Sequence, residues 1–110
     1  MIGIMTRGAN MEELEIKKQA LKDYERLKRR FRKDKHLSLK ELNHKYGGMN
    51  YYCYDDELFD LNYGVICATF RKDDNGNVYL SDNIEIYNDE YGFCMGDYWV
   101  KLLRKEVKRK

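Results

Sequence analysis

"VICATFRKDDNGNVYLSDNIEIYN", residues 65 to 88, is where the hydrophobic period of this chain becomes that of a strand. Ile66, Ala68 and Phe70 alternate with Cys67, Thr69 and Arg71, as they must if successive side chains point to opposite sides of a sheet and one side is buried. Asn75-Gly76 is the strongest short hairpin signal, because both central residues of a type I′ turn take positive φ. It leads directly into Val78, Tyr79 and Leu80. A second turn at Ser81, Asp82 and Asn83 then leads to "IEIYN", with Ile84 and Ile86 inward and Glu85 and Tyr87 outward. The pattern predicts a three-stranded antiparallel meander with one apolar face.

That face needs a cover, and the flanking segments supply helices. Upstream, "NMEELEIKKQALKDYERLKRRFRKDK" places Leu14, Leu21, Tyr24, Leu27 and Phe31 on one helical stripe, which predicts a helix from about 11 to 34. Asn10 stands where an N-cap belongs and Glu13 completes a capping box, which leaves residues 1 to 9 as a flexible lead outside the element. In "LSLKELNHKYGG", Ser38 and Glu41 form a second such box and Gly47 offers a left-handed stop, so a short helix is expected over 39 to 46. Downstream, "GDYWVKLLRKEVKRK" reads as a helix capped by Asp97, with Trp99, Val100, Leu103 and Val107 on its apolar side. The expected architecture is a single α+β domain over residues 1 to 110. In it, a small three-stranded antiparallel sheet is covered on one face by a long N-terminal helix, a short helix and a C-terminal helix. Its other face would look at solvent or a partner.

The wording "LSLKELNHKYG" resembles the first helix of helix-turn-helix DNA-binding domains. That resemblance implies that the following "GMNYYCYDDELFDL" is a recognition helix offering basic and amide side chains to a phosphate-lined groove. Asp55, Asp56, Glu57 and Asp60 stand there instead, and Asn43 replaces the small residue usual in the first helix. The resemblance therefore stops where base contacts would begin.

Composition bounds the remaining classes. With 110 residues there is room for one modest core, since ten tyrosines inflate the hydrophobic fraction of 43% and 36% of the residues are charged. No run approaches the roughly 18 apolar residues of a membrane span, and "MIGIMTRGAN" lacks a basic start and a long apolar stretch, so a cytoplasmic protein is expected. Cys53, Cys67 and Cys94 are an odd number at uneven spacing, which fits reduced thiols better than a disulfide framework. The absence of proline and abundance of Lys, Tyr, Asn, Asp and Ile suit an AT-rich coding sequence of the kind many bacteria and phages carry.

No catalytic group, cofactor or metal is expected. His36 and His44 have no cysteine at a metal-ligand spacing, and Ser38 and Ser81 are used in a cap and a turn. "KDDNGN" is not a calcium loop, because no glutamate closes it. In length and element order the chain resembles small bacterial ribonuclease toxins, but their sheets are generally basic. Here Arg71 and Lys72 are the only cations in the predicted strands.

Charge is segregated behind a net +2. Residues 17 to 45 carry 12 Lys and Arg against 4 acids, while residues 46 to 97 carry 2 against 11. The expected docking site lies in the acidic, tyrosine-rich part: Tyr52, Tyr54, Asp55, Asp56, Glu57, Asp60, Glu85, Tyr87, Asp89 and Glu90. Tyrosine gives contact area at low entropic cost and carboxylates steer toward cations, so the matching partner is a basic protein surface, of the kind that holds nucleic acid. The chain is similar in type to phage anti-defence proteins, including anti-CRISPR inhibitors, which implies a small non-enzymatic inhibitor of a nucleic-acid-handling protein. The alternative is direct nucleic-acid binding through Lys28, Arg29, Arg30, Arg32, Lys33 and Lys35.

Overall fold

A computed structural model describes residues 2–46, 51–53, 58–88 and 93–108. The chain runs α1 (Ile2–Lys33), α2 (Leu39–Tyr46), β1 (Tyr51–Cys53), β2 (Leu58–Tyr63), β3 (Ile66–Lys72), β4 (Val78–Leu80), β5 (Asn83–Asn88), β6 (Phe93–Trp99) and α3 (Val100–Lys108). The class is α+β, and all strand pairs are antiparallel. The sheet is larger than a three-stranded meander: its order is β1-β2-β3-β5-β6, with β4 also paired to β3.

Each departure from the expected meander has a local cause. β4 does not hairpin into β5; both lie on the same flank of β3, with Phe70 opposite Leu80 and Ile66 opposite Ile86. Ser81 N–H donates to the Thr69 carbonyl, which keeps the chain running alongside β3, and Ser81 Oγ accepts from Asn83 N–H across a small kink. Nor is the Asp73–Asn77 connection a type I′ turn, because Gly76 has φ of 84° but Asn75 before it does not have positive φ. Asp73 Oδ1 instead accepts from the N–H groups of Asn75 and Asn77, and Gly76 N–H donates to the Asp73 carbonyl. This is a three-residue loop with glycine at its left-handed position.

β2 and β3 form a hairpin in which Tyr63 faces Ile66, and Gly64, φ 61°, takes the first central position of a two-residue turn. Asp23 of α1 pins this turn: it is buried, and its Oδ2 accepts from Val65 N–H at 2.8 Å while Gln19 Nε2 donates to Oδ1 at 2.9 Å. β6 carries a bulge. Glu85 faces Asp97 but Tyr87 faces Cys94, so Met95 and Gly96 together oppose Ile86, with Gly96 at φ 98°. The bulge explains why Asp97 lies within a strand and does not cap α3. The first amide of that helix, Val100 N–H, is taken by the Asp82 carbonyl.

The helices cover one face, as expected. Phe59, Leu61, Ile66, Ala68, Phe70, Ile84 and Ile86 turn inward to meet Ala20, Tyr24, Leu27 and Phe31 of α1, Leu39, Leu42 and Tyr46 of α2, and Val100 and Leu103 of α3. Leu14 and Leu21 are only half-buried, and Ala20 takes the tight position between helix and sheet. Phe70 is the centre: its ring lies 4.9 Å from Phe31, 5.1 Å from Phe59 and 5.8 Å from Tyr46. Each fully buried ring of this kind is worth about 1.5–3 kcal/mol in transfer from water.

α1 begins at Ile2, so Asn10 is not an N-cap and residues 2 to 9 are helical. A cap contributes about 1 kcal/mol, and with no proline upstream each added residue gains a backbone hydrogen bond, so the helix extends through it. At 1.5 Å per residue it is about 48 Å long, close to the 53 Å longest dimension of the molecule. The cap of α2 is as expected: Ser38 Oγ accepts from Glu41 N–H, and Glu41 Oε1 from Ser38 N–H. Gly47 lies outside the described residues.

Buried polar contacts fix how the helices meet. At the α1–α2 corner Asp34 accepts from Lys45 Nζ and Tyr46 Oη, both at 2.7 Å, and the Arg30 guanidinium lies 4.1 Å from the Tyr46 ring centre. The hydrogen bonds from Lys45 and Tyr46 hold the Asp34 carboxyl below its ordinary range, while burial, with Asp34 as partner, pushes the Tyr46 hydroxyl up. α3 is tied to α1 by Lys17 with Glu106 and by Arg104 with Glu25. No described helix is long and apolar enough to cross a membrane.

Candidate functional site

The described helices all lie on one side of the sheet and none covers the other, so strand alternation decides what that side shows. Asp60 and Asn62 of β2, Cys67, Thr69 and Arg71 of β3, Tyr79 of β4, and Asn83, Glu85 and Tyr87 of β5 alternate with core residues and so point outward. After the bulge in β6, Asp97 faces Glu85 and Trp99 faces Asn83, which puts both on the same open face.

Three carboxylates converge there. Glu85 and Asp97 are direct cross-strand neighbours, and Asp60 stands two strands away beside Thr69, whose Oγ1 donates to Asp60 Oδ1 at 2.6 Å. They share a shallow depression of about 380 Å3, whose floor includes Cys67, Asn83 and part of Ile84. Partial burial, the adjacent Asp97 carboxylate with its hydrogen bond, and the more distant Asp60 together push the Glu85 carboxyl above its usual range. Arg71 lines the same depression, yet none of the described ion pairs includes it. Among the described residues no group of three or more His, Cys, Asp and Glu is placed to hold a metal ion.

Aromatic side chains flank the acids. Tyr79 and Tyr87 are each 44% exposed and Trp99 is 53% exposed, against 4% and 3% for Tyr24 and Tyr46 in the core. Tyr63, which also neighbours acids in the sequence, packs against the core. Not all phenols near the acids are therefore available to a partner.

Of the residues predicted to form the docking site, Asp60, Glu85 and Tyr87 share this face. Tyr52 lies in β1 opposite Asp60 in the ladder. Tyr54, Asp55, Asp56, Glu57, Asp89 and Glu90 lie outside the described residues. Asp97 and Trp99 join the face although their sequence context suggests a helix cap and a helix side. The signal that could have placed them is Gly96, a residue suited to a bulge that resets strand alternation.

The basic side chains lie on the helical layer. Lys28, Arg29, Arg30, Arg32, Lys33 and Lys35 are all exposed, but Arg30 differs from the others in resting on the Tyr46 ring. The molecule thus has an acidic, aromatic sheet face and a basic helical back. Comparison with protein-family models, curated proteins and solved structures finds no match to this chain.

Proposed function

We propose that this is a non-enzymatic protein-binding module whose open sheet face docks on a basic protein surface, acting as a phage-type inhibitor of a nucleic-acid-handling protein. One observation carries the reading: Glu85, Asp97 and Asp60 are gathered on one exposed face, and no described ion pair there neutralises them. Charges held against self-repulsion become favourable when cations of a partner arrive, and Tyr87, Trp99 and Tyr79 around them supply contact area and cation–π surfaces for arginine.

The test is comparative. Immobilised protein and its Glu85→Lys/Asp97→Lys variant are exposed to the same bacterial lysate, and retained proteins are identified. The expected result is a basic, nucleic-acid-binding protein held by the native chain, released by competing duplex DNA, and bound about 100-fold more weakly by the variant. That magnitude follows from the 2–5 kcal/mol cost of spoiling a buried interfacial charge pair. Equal retention by both chains removes the open face from the interface.

A further inference from the structure

The helical back has a charge imbalance of its own, independent of the sheet face. On α1, Lys22, Arg26, Arg29 and Lys33 recur at spacings of four, three and four. Beside them Lys28, Arg32 and Lys35 recur at four and three, so the seven form two adjoining stripes along about 20 Å of helix and the turn after it. All seven are exposed.

What distinguishes these stripes from an ordinary solvated face is the fate of the nearby acids. Glu13 pairs with Lys17, Glu15 with Lys18, and Glu106 with Lys17. Glu25 is held by Arg104 of α3. Asp23 accepts from Val65 and Gln19, Asp34 from Lys45 and Tyr46, and Glu41 is spent on the α2 cap. Each of these seven acids is thus committed to a partner, and none of those partners is a cation of the stripes. Arg30 is drawn out of the set by Tyr46. At their C-terminal end the stripes run into a cleft of about 670 Å3 lined by Lys35 and His36 with Phe31, Leu37 and Val78.

We infer that this uncompensated face of α1 binds the phosphate backbone of duplex nucleic acid without reading its sequence. Six cations on the helix and a seventh in the turn after it, none of them in a described ion pair, match a linear array of phosphates, whose counterions they would release. The stripes offer only Lys and Arg, without the amide side chains that pair with adenine, so phosphate contact is the role assigned to them. The helix itself offers no row of rings for single strands, since Tyr24 and Phe31 are buried and one exposed ring, Tyr79, lines the cleft at the end of the stripes. An anionic membrane fits less well. Among the described side chains the exposed large apolar ones are Tyr79, Tyr87, Trp99 and Leu102, and none stands in the stripes to insert into lipid.

Fluorescence anisotropy with a labelled 20-base-pair duplex of mixed sequence tests this in the full chain. If about five phosphates are contacted, affinity falls with a log–log salt slope of about −4 to −5, or roughly 500-fold between 50 and 200 mM salt. Arg29→Ala, Arg32→Ala and Lys33→Ala each make the slope shallower by about one, equally for unrelated sequences. Arg30→Ala leaves the slope unchanged while lowering the melting temperature. No binding at low salt, or a loss of slope in Arg30→Ala equal to that in Arg29→Ala, overturns the inference. So does displacement of the duplex by polyglutamate at equal charge, or preference for phosphatidylserine vesicles over duplex. Glu85→Lys/Asp97→Lys leaves the stripes intact, so failure of sheet-face docking and failure here are read separately.

Discussion

At Glu85 every nearby influence works against an ionised carboxylate: partial burial first, then the Asp97 carboxylate across the strand pair, then Asp60. Its folded pKa is raised above the unfolded value, so the stability linked to this group is fully present below the ordinary glutamate range. That stability is lost as pH rises through the folded value. At neutral pH the native chain therefore carries an avoidable repulsion. Glu85→Gln keeps the size and hydrogen-bonding capacity of the side chain and removes its charge. The expected outcome is a higher melting temperature than native at pH 7, with the difference shrinking toward zero as pH falls below about 4, where the native glutamate is neutral as well. Thermal unfolding of both chains across that range checks the sign. A gain that persists unchanged at low pH would mean that packing, not charge, is responsible. If the same variant also binds the basic partner more weakly, the repulsion belongs to recognition, since residues held at a cost to stability are a mark of functional surfaces.

Among the elements, the β2–β3 hairpin couples sheet to helix through one glycine. Gly64 has φ of 61°, and a Cβ built on it would collide with the Asp23 carboxylate that accepts from Val65 N–H. Left-handed backbone costs an ordinary residue about 1–2 kcal/mol. Displacing Asp23 then leaves a buried donor and acceptor unpaired, at about 1–3 kcal/mol. Gly64→Ala should therefore destabilise by at least about 2 kcal/mol, read from the denaturant midpoint, whereas Gly76→Ala, with open space around it, should lose only the backbone part. What was legible in the sequence follows from the same local forces. β3 could be read because Ile66, Ala68 and Phe70 keep an unbroken period of two, and α2 because its capping box and its eight residues coincide. β2 carries the same alternation, Phe59 and Leu61 against Asp60 and Asn62, but follows directly on Asp55, Asp56 and Glu57, whose charge hides its start. β6 is obscured by its bulge, which shifts the phase midway, and the kink at Ser81 lets β4 and β5 share one flank of β3 where turn residues suggest a reversal. The candidate site was half legible: Glu85 and Tyr87 sit on a strand with clean alternation, Asp60 stands out only through its acidic, tyrosine-rich surroundings, and Asp97 and Trp99 are hidden by the bulge.

For the whole molecule, the arrangement of layers turns a net charge of only +2 into two surfaces of opposite sign. The helices carry the cations because their exposed stripes are free of core duties, and the sheet carries the acids because no described helix packs on its outward face. The thinnest dimension is 21 Å, against a screening length of about 8 Å at physiological ionic strength, so charges on one face are felt only weakly at the other. Changes on the two faces should then add. Combining Glu85→Lys/Asp97→Lys with Arg29→Ala should give a duplex affinity equal to the product of the separate effects, to within about twofold at 150 mM salt, as for sites without shared contacts. At 10 mM salt the screening length grows to about 30 Å and exceeds the thickness of the molecule. The reversed sheet face should then strengthen duplex binding through its field, and the product rule should fail in that direction. Anisotropy titrations of the four chains at both salt concentrations provide the check. Coupling that is equally large at 150 mM would require contact between the faces, and would mean that the sheet and the helical stripes engage one ligand together.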